Sequence, residues 1–314
     1  MNGTTMKAAI CTKYGPPEYV KIEEIQKPVP KDNELLIRVI YTTVQTGDCK
    51  LRNLTGTAGS KTKYNPIIKF IMRLIVGYNK PRNPVFGTEL SGIVESVGKK
   101  VTKYKPGDEV IVMTDMKMGA HAEYIVWPEA RLIAKKPDGV TPEQAAALTF
   151  GGIAALYYLR KSNIQKGQSI LIYGASGAVG SSAVQLAKYF GALVTGVCGP
   201  GNVELVKSIG ADYVIDYTKG NIEKIKKQYD VIFDSVGKIS KKQCSNILRP
   251  GGKYITVLNG IALGKTKDLE FLTNLAGQGI YVPVIDTCFK LEEIVEAYKY
   301  VETGHKKGNV VLKI

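Results

Sequence analysis

A glycine-rich turn that follows an apolar stretch is the clearest chemical signal in this chain. The stretch Ser169–Tyr173 predicts a buried strand, and the turn after it reads Gly174-Ala-Ser-Gly-Ala-Val-Gly180. Gly177 would let the backbone approach a pyrophosphate, and Gly180 would permit close packing of a helix on the strand. The N-terminus of that helix offers unpaired N–H groups and a partial positive charge. The pattern predicts a dinucleotide site, with Ala175 in the place of the first glycine of the GxGxxG motif.

The end of the next predicted strand, Leu193–Val197, indicates which dinucleotide binds. NAD-specific sites usually place Asp or Glu there, about 20 residues beyond the glycine motif, to hold the ribose hydroxyls. Here the strand continues as Cys198-Gly-Pro-Gly-Asn202, without an acid. A carboxylate would repel a 2′-phosphate, so its absence favours NADPH. The predicted cofactor contacts in the turn are Ala175, Ser176, Gly177, Ala178, Val179 and Gly180, and those beyond it are Cys198, Asn202 and Tyr217; Lys207 is a further candidate that could equally be a solvated helix lysine.

The elements around this motif alternate between strands and helices. Short links and an alternating β and α pattern predict a parallel, doubly wound sheet. The predicted strands are Ser169–Tyr173, Leu193–Val197, Tyr213–Ile215, Val231–Phe233 and Lys253–Val257. The predicted helices are one that begins at Thr141-Pro142-Glu143, then Val179–Phe190, Val203–Ile209 and a helix near Lys241–Leu248.

The first third of the chain has a different pattern, of short strands separated by glycine and proline. The predicted strands there are Met6–Cys11, Leu35–Val44, Gly92–Val97, Tyr124–Trp127 and Arg131–Lys135. The chain ends with an amphipathic helix over Leu291–Val301 and a strand over Asn309–Ile314. We therefore predict an α/β fold of two domains: a mostly-β domain over residues 1–136 and 284–314, and a dinucleotide-binding domain over residues 137–283.

Composition excludes several classes of protein. The 314 residues are 44% hydrophobic and 23% charged, which is typical of a globular protein. No apolar run reaches the roughly 18 residues of a membrane span, and the first residues lack the pattern of a signal peptide. Five scattered cysteines without a CxxC pair favour free thiols and a reducing compartment, so we expect a cytoplasmic location. The net charge of +15 favours anionic ligands, although it is spread along the chain.

Several further motifs resemble those of the medium-chain dehydrogenase/reductase superfamily, in the order in which that family carries them. They are Lys7-Ala-Ala-Ile, Glu34-Leu-Leu-Ile-Arg-Val, Pro84 to Gly98, Tyr104-Lys-Pro-Gly-Asp-Glu-Val110, Ala122-Glu-Tyr124, the glycine turn, Gly210 to Tyr217 and Pro250-Gly-Gly252. The resemblance covers nearly the whole chain. It implies a GroES-like catalytic domain joined to a Rossmann domain.

The resemblance also indicates a zinc-free branch of that superfamily. Zinc catalysis needs about three Cys, His or Asp/Glu ligands around an open position. Where the zinc enzymes carry their cysteine this chain has Gln45, and where they carry the histidine of Gly-His-Glu it reads Gly87-Thr88-Glu89. The four-cysteine lobe is absent, and neither His121 nor His305 stands at a ligand position. We predict no metal, and a member of the quinone oxidoreductase and ζ-crystallin branch.

That branch implies hydride transfer from NADPH to a quinone or an α,β-unsaturated carbonyl. The resemblance places Gln45 and Thr88 beside the nicotinamide, where Gln45 would donate to a substrate oxygen. It places Asp48 in the catalytic site together with Arg52; alternatively, Asp48 and Arg52 form a structural ion pair. It implies cofactor contacts from Thr149, Val236, Gly237 and Leu258. Tyr41 and Tyr64 are candidate proton donors, and His121 is expected to be a loop residue.

Two segments depart from the family pattern. Residues 253–282 are too short for the extra strand that pairs across a dimer, so a homodimer is possible but in doubt. Residues 53–82 are basic with an apolar patch, and could form a lid, a packed cover or a peripheral membrane contact. Alternative functions are an enoyl-thioester reductase and a non-catalytic NADPH-binding regulator or RNA-binding protein. No RNA-binding motif supports specific nucleic-acid recognition.

Overall fold

The computed structural model describes residues 4–54, 70, 73, 74, 76–220, 222–260 and 262–314. They form two compact units, one of Met1–Thr149 with Ile285–Ile314 and one of Phe150–Val284. The first unit continues past the predicted boundary at residue 136, and the second ends one residue after the predicted boundary at 283. The difference at the first boundary arises because residues after 136 pack on the sheet of the first unit, where Ser91 Oγ donates to the Pro142 carbonyl at 2.6 Å.

Among the elements that the described residues form, strands occur throughout and helices mainly in the second half. The strands are β1 (Thr5–Cys11), β2 (Val20–Gln26), β3 (Glu34–Val44), β4 (Glu89–Val97), β5 (Glu109–Met113), β6 (Tyr124–Pro128), β7 (Ile133–Lys135), β8 (Ser169–Tyr173), β9 (Leu193–Cys198), β10 (Tyr213–Asp216), β11 (Tyr229–Asp234), β12 (Leu248–Thr256), β13 (Ile285–Lys290) and β14 (Asn309–Lys313). The α-helices are α1 (Thr46–Asn53), α2 (Pro142–Ala146), α3 (Thr149–Ser162), α4 (Ala178–Tyr189), α5 (Val203–Ser208), α6 (Thr266–Gly277) and α7 (Ile294–Glu302). Short 3₁₀ helices cover Pro17–Tyr19, Asp115–Lys117, Pro200–Asn202, Tyr217–Lys219, Ile222–Lys224 and Leu291–Glu293.

The first unit is mostly β. Its described residues form a two-stranded antiparallel sheet, β1-β2, and a seven-stranded sheet in the order β13-β14-β3-β4-β5-β7, with β6 paired to β3. All pairs in the larger sheet are antiparallel except β13 with β14. Four apolar clusters of described residues pack in this unit, and the two larger ones lie around Val39 and Trp127 and around Val44 and Tyr298. The predicted GroES-like, mostly-β domain is confirmed.

The second unit contains a five-stranded sheet in the order β10-β9-β8-β11-β12. Every neighbouring pair is parallel, as predicted for a Rossmann domain. The strand bounds predicted from apolar runs hold to within two residues, except that β12 begins at Leu248, five residues before the predicted start at Lys253. Strands of a parallel sheet are covered on both faces, and Ile170, Leu171 and Ile172 of β8 are accordingly fully buried.

Local sequence explains where several helices begin. Thr141 forms the predicted cap of α2, since its hydroxyl accepts from the Gln144 N–H at 3.3 Å and Gln144 Oε1 accepts from the Thr141 N–H at 3.1 Å. The helix predicted there is interrupted, because α3 begins separately at Thr149. None of the helices built from the described residues is long and apolar enough to cross a bilayer.

Other predicted elements were wrong or missed. The helix predicted near Lys241–Leu248 is a series of turns, in which Ser240 and Gln243 bond each other's backbone and most backbone bonds span three residues. Helices α1 and α6 and strands β2, β5 and β13 were not predicted. The predicted cover over residues 53–82 falls largely on residues 55–69, 71, 72 and 75, which lie outside the described residues.

Candidate functional site

The glycine-rich turn connects β8 to α4 as predicted. A Cβ atom on Gly180 would lie 2.1 Å from the carbonyl oxygen of Gly174, so only glycine lets the helix pack this close to the strand end. Gly177 caps the helix, and a Cβ there would meet only that same oxygen, at 3.6 Å. The backbone at Gly177 is thus open to a ligand, beside the unpaired N–H groups of the first helical turn. The structure places all the predicted pyrophosphate contacts in this turn or at the start of α4: Ala175, Ser176, Gly177, Ala178, Val179 and Gly180.

The next two strands end close to this turn. Cys198 is the buried last residue of β9, and Asn202, just before α5, donates through Nδ2 to Ser176 Oγ at 3.2 Å. Tyr217 follows β10 and is about half exposed, and its ring centroid lies 6.4 Å from that of Tyr173 at the end of β8. The predicted contacts Cys198, Asn202 and Tyr217 therefore share the carboxyl edge of the sheet with the glycine turn, where α/β sheets bind ligands.

An exposed apolar rim completes this edge of the sheet. A Cβ on Gly174 would lie 2.6 Å from Val236 Cγ1, and a Cβ on Gly237 would lie 2.9 Å from Leu258 Cγ. Val236 is 42% exposed and Leu258 is 68% exposed, so both predicted contacts present apolar surface to solvent. The structure thus brings Val236, Gly237 and Leu258 to the same edge as the glycine turn.

Asp234 shapes that rim, and sequence reasoning missed it. Its carboxylate is buried at the end of β11 and accepts hydrogen bonds from the backbone N–H groups of residues 236–239, at 2.9–3.2 Å. The Thr256 hydroxyl donates to the same group at 3.2 Å. An aspartate that ends a buried strand just before Ser-Val-Gly was the available signal, since Asp side chains commonly bond the backbone of a following turn.

The first unit contains a buried polar cluster centred on Glu89. Its Oε1 accepts from Thr43 Oγ1 at 2.7 Å and from Gln45 Nε2 at 2.8 Å, while Oε2 accepts from Thr149 Oγ1 at 2.6 Å. Thr43, Gln45, Glu89 and Thr149 are all buried, with at most 2% of their surface exposed. Two predicted site residues, Gln45 and Thr149, thus meet on one carboxylate that sequence reasoning did not single out.

These contacts correct the role predicted for Gln45. Its amide nitrogen lies within hydrogen-bond distance of Glu89 Oε1, Thr43 Oγ1 at 3.1 Å and Asn309 Oδ1 at 3.2 Å. An amide has two hydrogens to donate, and three protein acceptors already surround them. Gln45 therefore has no hydrogen left for a substrate oxygen and acts as a structural link.

Asp48 and His121 are a buried pair beside this cluster. Asp48 accepts from the backbone N–H of Gln45 at 2.8 Å and of Gly87 at 3.3 Å. Burial raises the pKa of Asp48 and lowers the pKa of His121. His121 Nε2 lies 2.9 Å from the Thr43 carbonyl, which assigns its proton to that nitrogen. Both side chains hold backbone in place. His121 lies in a loop, as expected, whereas Asp48 was predicted to be catalytic.

The ion pair considered between Asp48 and Arg52 does not form. Arg52 is fully buried and donates instead to the Gly15 carbonyl and to Glu302 of α7. Asp48 lies in the first turn of α1, where its carboxylate is engaged by backbone N–H groups, so Arg52 pairs with the acid on the helix packed against α1. Arg52 is therefore a structural residue.

Thr88 differs from its neighbours because its hydroxyl is free. The oxygen Oγ1 is buried and has no hydrogen-bond partner among the described residues. A buried hydroxyl without a partner is costly, so such groups often mark a place that a ligand or water completes. Of the three predicted catalytic residues, Thr88 is the one with a free donor.

Of the two tyrosines considered as proton donors, the structure describes only Tyr41. A hydrogen bond between the side chains of Tyr41 and Glu143 raises the pKa of Tyr41 to about 12. That partner holds the phenol proton, so Tyr41 is a poor donor at neutral pH. Tyr64 lies outside the described residues.

Comparison with known proteins identifies the family. The model of the alcohol dehydrogenase GroES-like domain matches residues 31–138, and models described as zinc-binding dehydrogenase match residues 178–285 and 260–312. A 2-methylene-furan-3-one reductase of Solanum lycopersicum is 33% identical, with 98% of this chain and 79% of the relative covered. The chain belongs to the quinone-oxidoreductase-like branch of the medium-chain dehydrogenase/reductase family.

Two further relatives agree with this family assignment. A chloroplast envelope quinone oxidoreductase homolog of Arabidopsis thaliana is 30% identical, and the match covers all of both chains. The solved structure of the quinone oxidoreductase from Coxiella burnetii is 26% identical, with a TM-score of 0.85 over 99% of this chain and 100% of that one. This family member is an oxidoreductase, as the sequence predicted.

Zinc, which the name of the matched models implies, does not fit the described residues. Among them, no group of three or more His, Cys, Asp or Glu side chains is placed to hold a metal ion. Gln45 is occupied by Glu89, and Thr88 is a weak zinc ligand in comparison with cysteine or histidine. All five cysteines are free thiols, four buried and Cys288 exposed. No chemical step proposed for this chain depends on a metal.

Lys306 is a further partly buried residue that the sequence did not single out. It follows α7 and is partly buried, and its ammonium donates to the Gly308 carbonyl. Burial lowers the pKa of Lys306 to about 8, although the negative charge of Glu89 opposes that shift. The surrounding sequence, Thr-Gly-His-Lys-Lys-Gly, resembles an ordinary solvated turn and gave no signal of a buried amine.

Proposed function

We propose that this chain transfers a hydride from NADPH to a quinone or an α,β-unsaturated carbonyl without using zinc. The main support is the carboxyl edge of the parallel sheet, where an open glycine turn, an acid-free end of β9 and an exposed apolar rim occur together. NADPH supplies the hydride when it is bound. A relative 32% identical is named an NADPH-dependent alkenal/one oxidoreductase, from Arabidopsis thaliana, which supports both the cofactor and the acceptor class.

Different residues would bind the cofactor and assist the reaction. The N–H groups at the start of α4 hold the pyrophosphate, and Gly177 leaves room for it. Val236 and Leu258 provide apolar surface for the nicotinamide half, on a loop that Asp234 keeps in shape. Thr88 donates its free hydroxyl to the carbonyl oxygen of the acceptor, where negative charge grows as the hydride arrives.

The reaction balances without a metal. An enone accepts a hydride at the β-carbon and a proton from solvent at the α-carbon, and becomes a saturated ketone. A quinone accepts one hydride and one proton and becomes a hydroquinone. Conjugation spreads the developing charge in both acceptors, and a hydrogen-bond donor at the oxygen would stabilise that charge further.

The remaining expectations stay predictions. The cytoplasmic location rests on the free cysteines, and one relative is named a chloroplast envelope homolog. A homodimer and a peripheral membrane contact are predictions of the same kind. The alternative function is that of an enoyl-thioester reductase. This chain shares its fold with the CurK enoyl reductase, at 21% identity.

Turnover measurements test the proposal. NADPH oxidation is followed by absorbance with quinones, α,β-unsaturated ketones and an enoyl thioester, with and without a chelator. We expect chelator-insensitive turnover of the quinones or enones, faster with NADPH than with NADH. Activity on the thioester alone would support the alternative enzyme. NADPH binding without any turnover would support the non-catalytic regulator.

A further inference from the structure

A cavity of about 560 Å³ lies in the second unit, at the carboxyl ends of β8, β9 and β10. Tyr173, Val197 and Ile215 line it from those three strands. Tyr217 and Ile239 add further apolar surface from the loops beyond the strands. An apolar cavity of this size with an aromatic wall suits a purine ring.

The cavity adjoins the place where the pyrophosphate is proposed to bind. The hydrogen bond from Asn202 to Ser176 joins the start of α5 to the glycine turn. A Cβ on Gly199 would lie 3.3 Å from the Tyr217 hydroxyl, so the end of β9 borders the cavity wall directly. In a doubly wound sheet, the adenosine half of a dinucleotide extends from the pyrophosphate over this second strand.

Lys207, which the sequence analysis gave as a candidate cofactor contact, forms an ion pair elsewhere. Lys207 Nζ forms an ion pair with Glu204 Oε1 at 3.0 Å, one turn away on α5. It does not line the cavity. The end of β9 contributes neither an acid nor a base, because it reads Cys198-Gly-Pro-Gly-Asn202.

Two other lysines line the cavity and are free. Lys219 follows β10 and Lys238 follows β11, and both are exposed. No carboxylate of the described residues forms an ion pair with either one. The acid that lines the same cavity, Asp216, accepts from the Thr218 N–H at 2.9 Å and from its hydroxyl at 2.7 Å. The cavity therefore has a net positive charge, because two ammonium groups and one carboxylate line it.

We infer that Lys219 and Lys238 hold the 2′-phosphate of NADPH and set the preference of this chain for NADPH over NADH. A phosphate monoester carries a charge of about −1.5 to −2 at neutral pH, and lysine binds phosphate as a point charge. Adenine would lie against Tyr173 and Tyr217 in the same cavity. This inference rests on the proposed NADPH dependence, and it assigns that preference to two loop lysines outside the glycine motif.

Calorimetric titration of adenosine 2′,5′-bisphosphate and of AMP isolates this subsite from hydride transfer. The proteins are wild type, Lys219→Met, Lys238→Met and the double variant, with Lys207→Met as a control lysine on the neighbouring helix. NADPH and NADH are titrated in parallel. Circular dichroism confirms that each variant is folded, and exposed lysines should tolerate methionine.

We expect each single variant to lose about tenfold in affinity for the bisphosphate and for NADPH. Affinity for AMP and NADH should change less than about twofold, and Lys207→Met should match wild type. The inference would be overturned if the double variant still preferred NADPH, or if the variants lost affinity for AMP and for the bisphosphate equally. Either result would leave the proposed function standing. A wild-type protein that binds NADH as tightly as NADPH would instead refute the proposed cofactor.

Discussion

Glu89 Oε1 accepts a hydrogen bond from Gln45 Nε2 at 2.8 Å, across 44 residues of sequence. This contact engages the Gln45 amide and makes it part of the buried frame of the first unit. Gln45→Met should therefore lower the free energy of unfolding by about 1–3 kcal/mol, because a buried carboxylate loses a charge-assisted partner. Denaturant unfolding measures the loss, and KM should change little. A Gln45→Met protein of unchanged stability with a large loss in kcat would return Gln45 to a catalytic role.

Thr88→Val should show the opposite behaviour. Valine matches threonine in shape, and the Thr88 hydroxyl has no partner among the described residues whose loss would destabilise the fold. We expect an unchanged or slightly higher midpoint of thermal unfolding and a decrease of about tenfold or more in kcat/KM, as for the loss of a donor to a growing oxyanion. Thr88→Ser keeps the hydroxyl and should therefore retain the activity that Thr88→Val loses. Full activity in Thr88→Val would exclude the hydroxyl from the reaction.

Two glycines of the same turn should respond differently to alanine. Gly180→Ala places a methyl group 2.1 Å from the Gly174 oxygen, so the strand and helix must move apart and both stability and NADPH binding should fall. Gly177→Ala has space in the folded chain and an extended backbone, so it should fold normally. Its methyl group would obstruct the pyrophosphate, and NADPH affinity alone should fall. Equal effects in both variants would contradict the separate roles.

Lys306 should make stability depend on pH in the alkaline range. Its pKa is about 8 in the folded protein, below the ordinary value of 10.5, so between these values the unfolded chain binds a proton that the folded chain does not. Stability therefore rises with pH through this window. Relative to Lys306→Met, the wild type should gain about 1–2 kcal/mol between pH 7 and 10, less than the full shift implies because the side chain is only partly buried. A difference between the two proteins that is constant with pH would show that Lys306 titrates normally.

Local sequence was sufficient for the glycine turn, because every residue that shapes it is within a few positions of the next. The same holds for the cap of α2 and for β8 and β9. The helix predicted near Lys241–Leu248 illustrates a limit: Cys244 and Ile247 are buried at helical spacing, but turns present the same two side chains to the core.

The polar network around Glu89 could not be predicted in the same way. Gln45 and Thr149 are separated from Glu89 by 44 and 60 residues, and only the folded sheet shows that they share its carboxylate. Likewise, Arg52 pairs with Glu302, which is 250 residues away, rather than with the nearby Asp48. Pairings of this kind decide which polar residues are free for chemistry.

Transfer of an isotopic label tests the central claim most directly. Metal-depleted protein is incubated with an α,β-unsaturated ketone and NADPH deuterated at the hydride-donating carbon of the nicotinamide, and the product is analysed by mass spectrometry and NMR. Zinc-free hydride transfer predicts one deuterium at the β-carbon of the saturated ketone and none at the α-carbon. A reduced product without the label, or reduction that appears only after zinc is restored, would contradict the account.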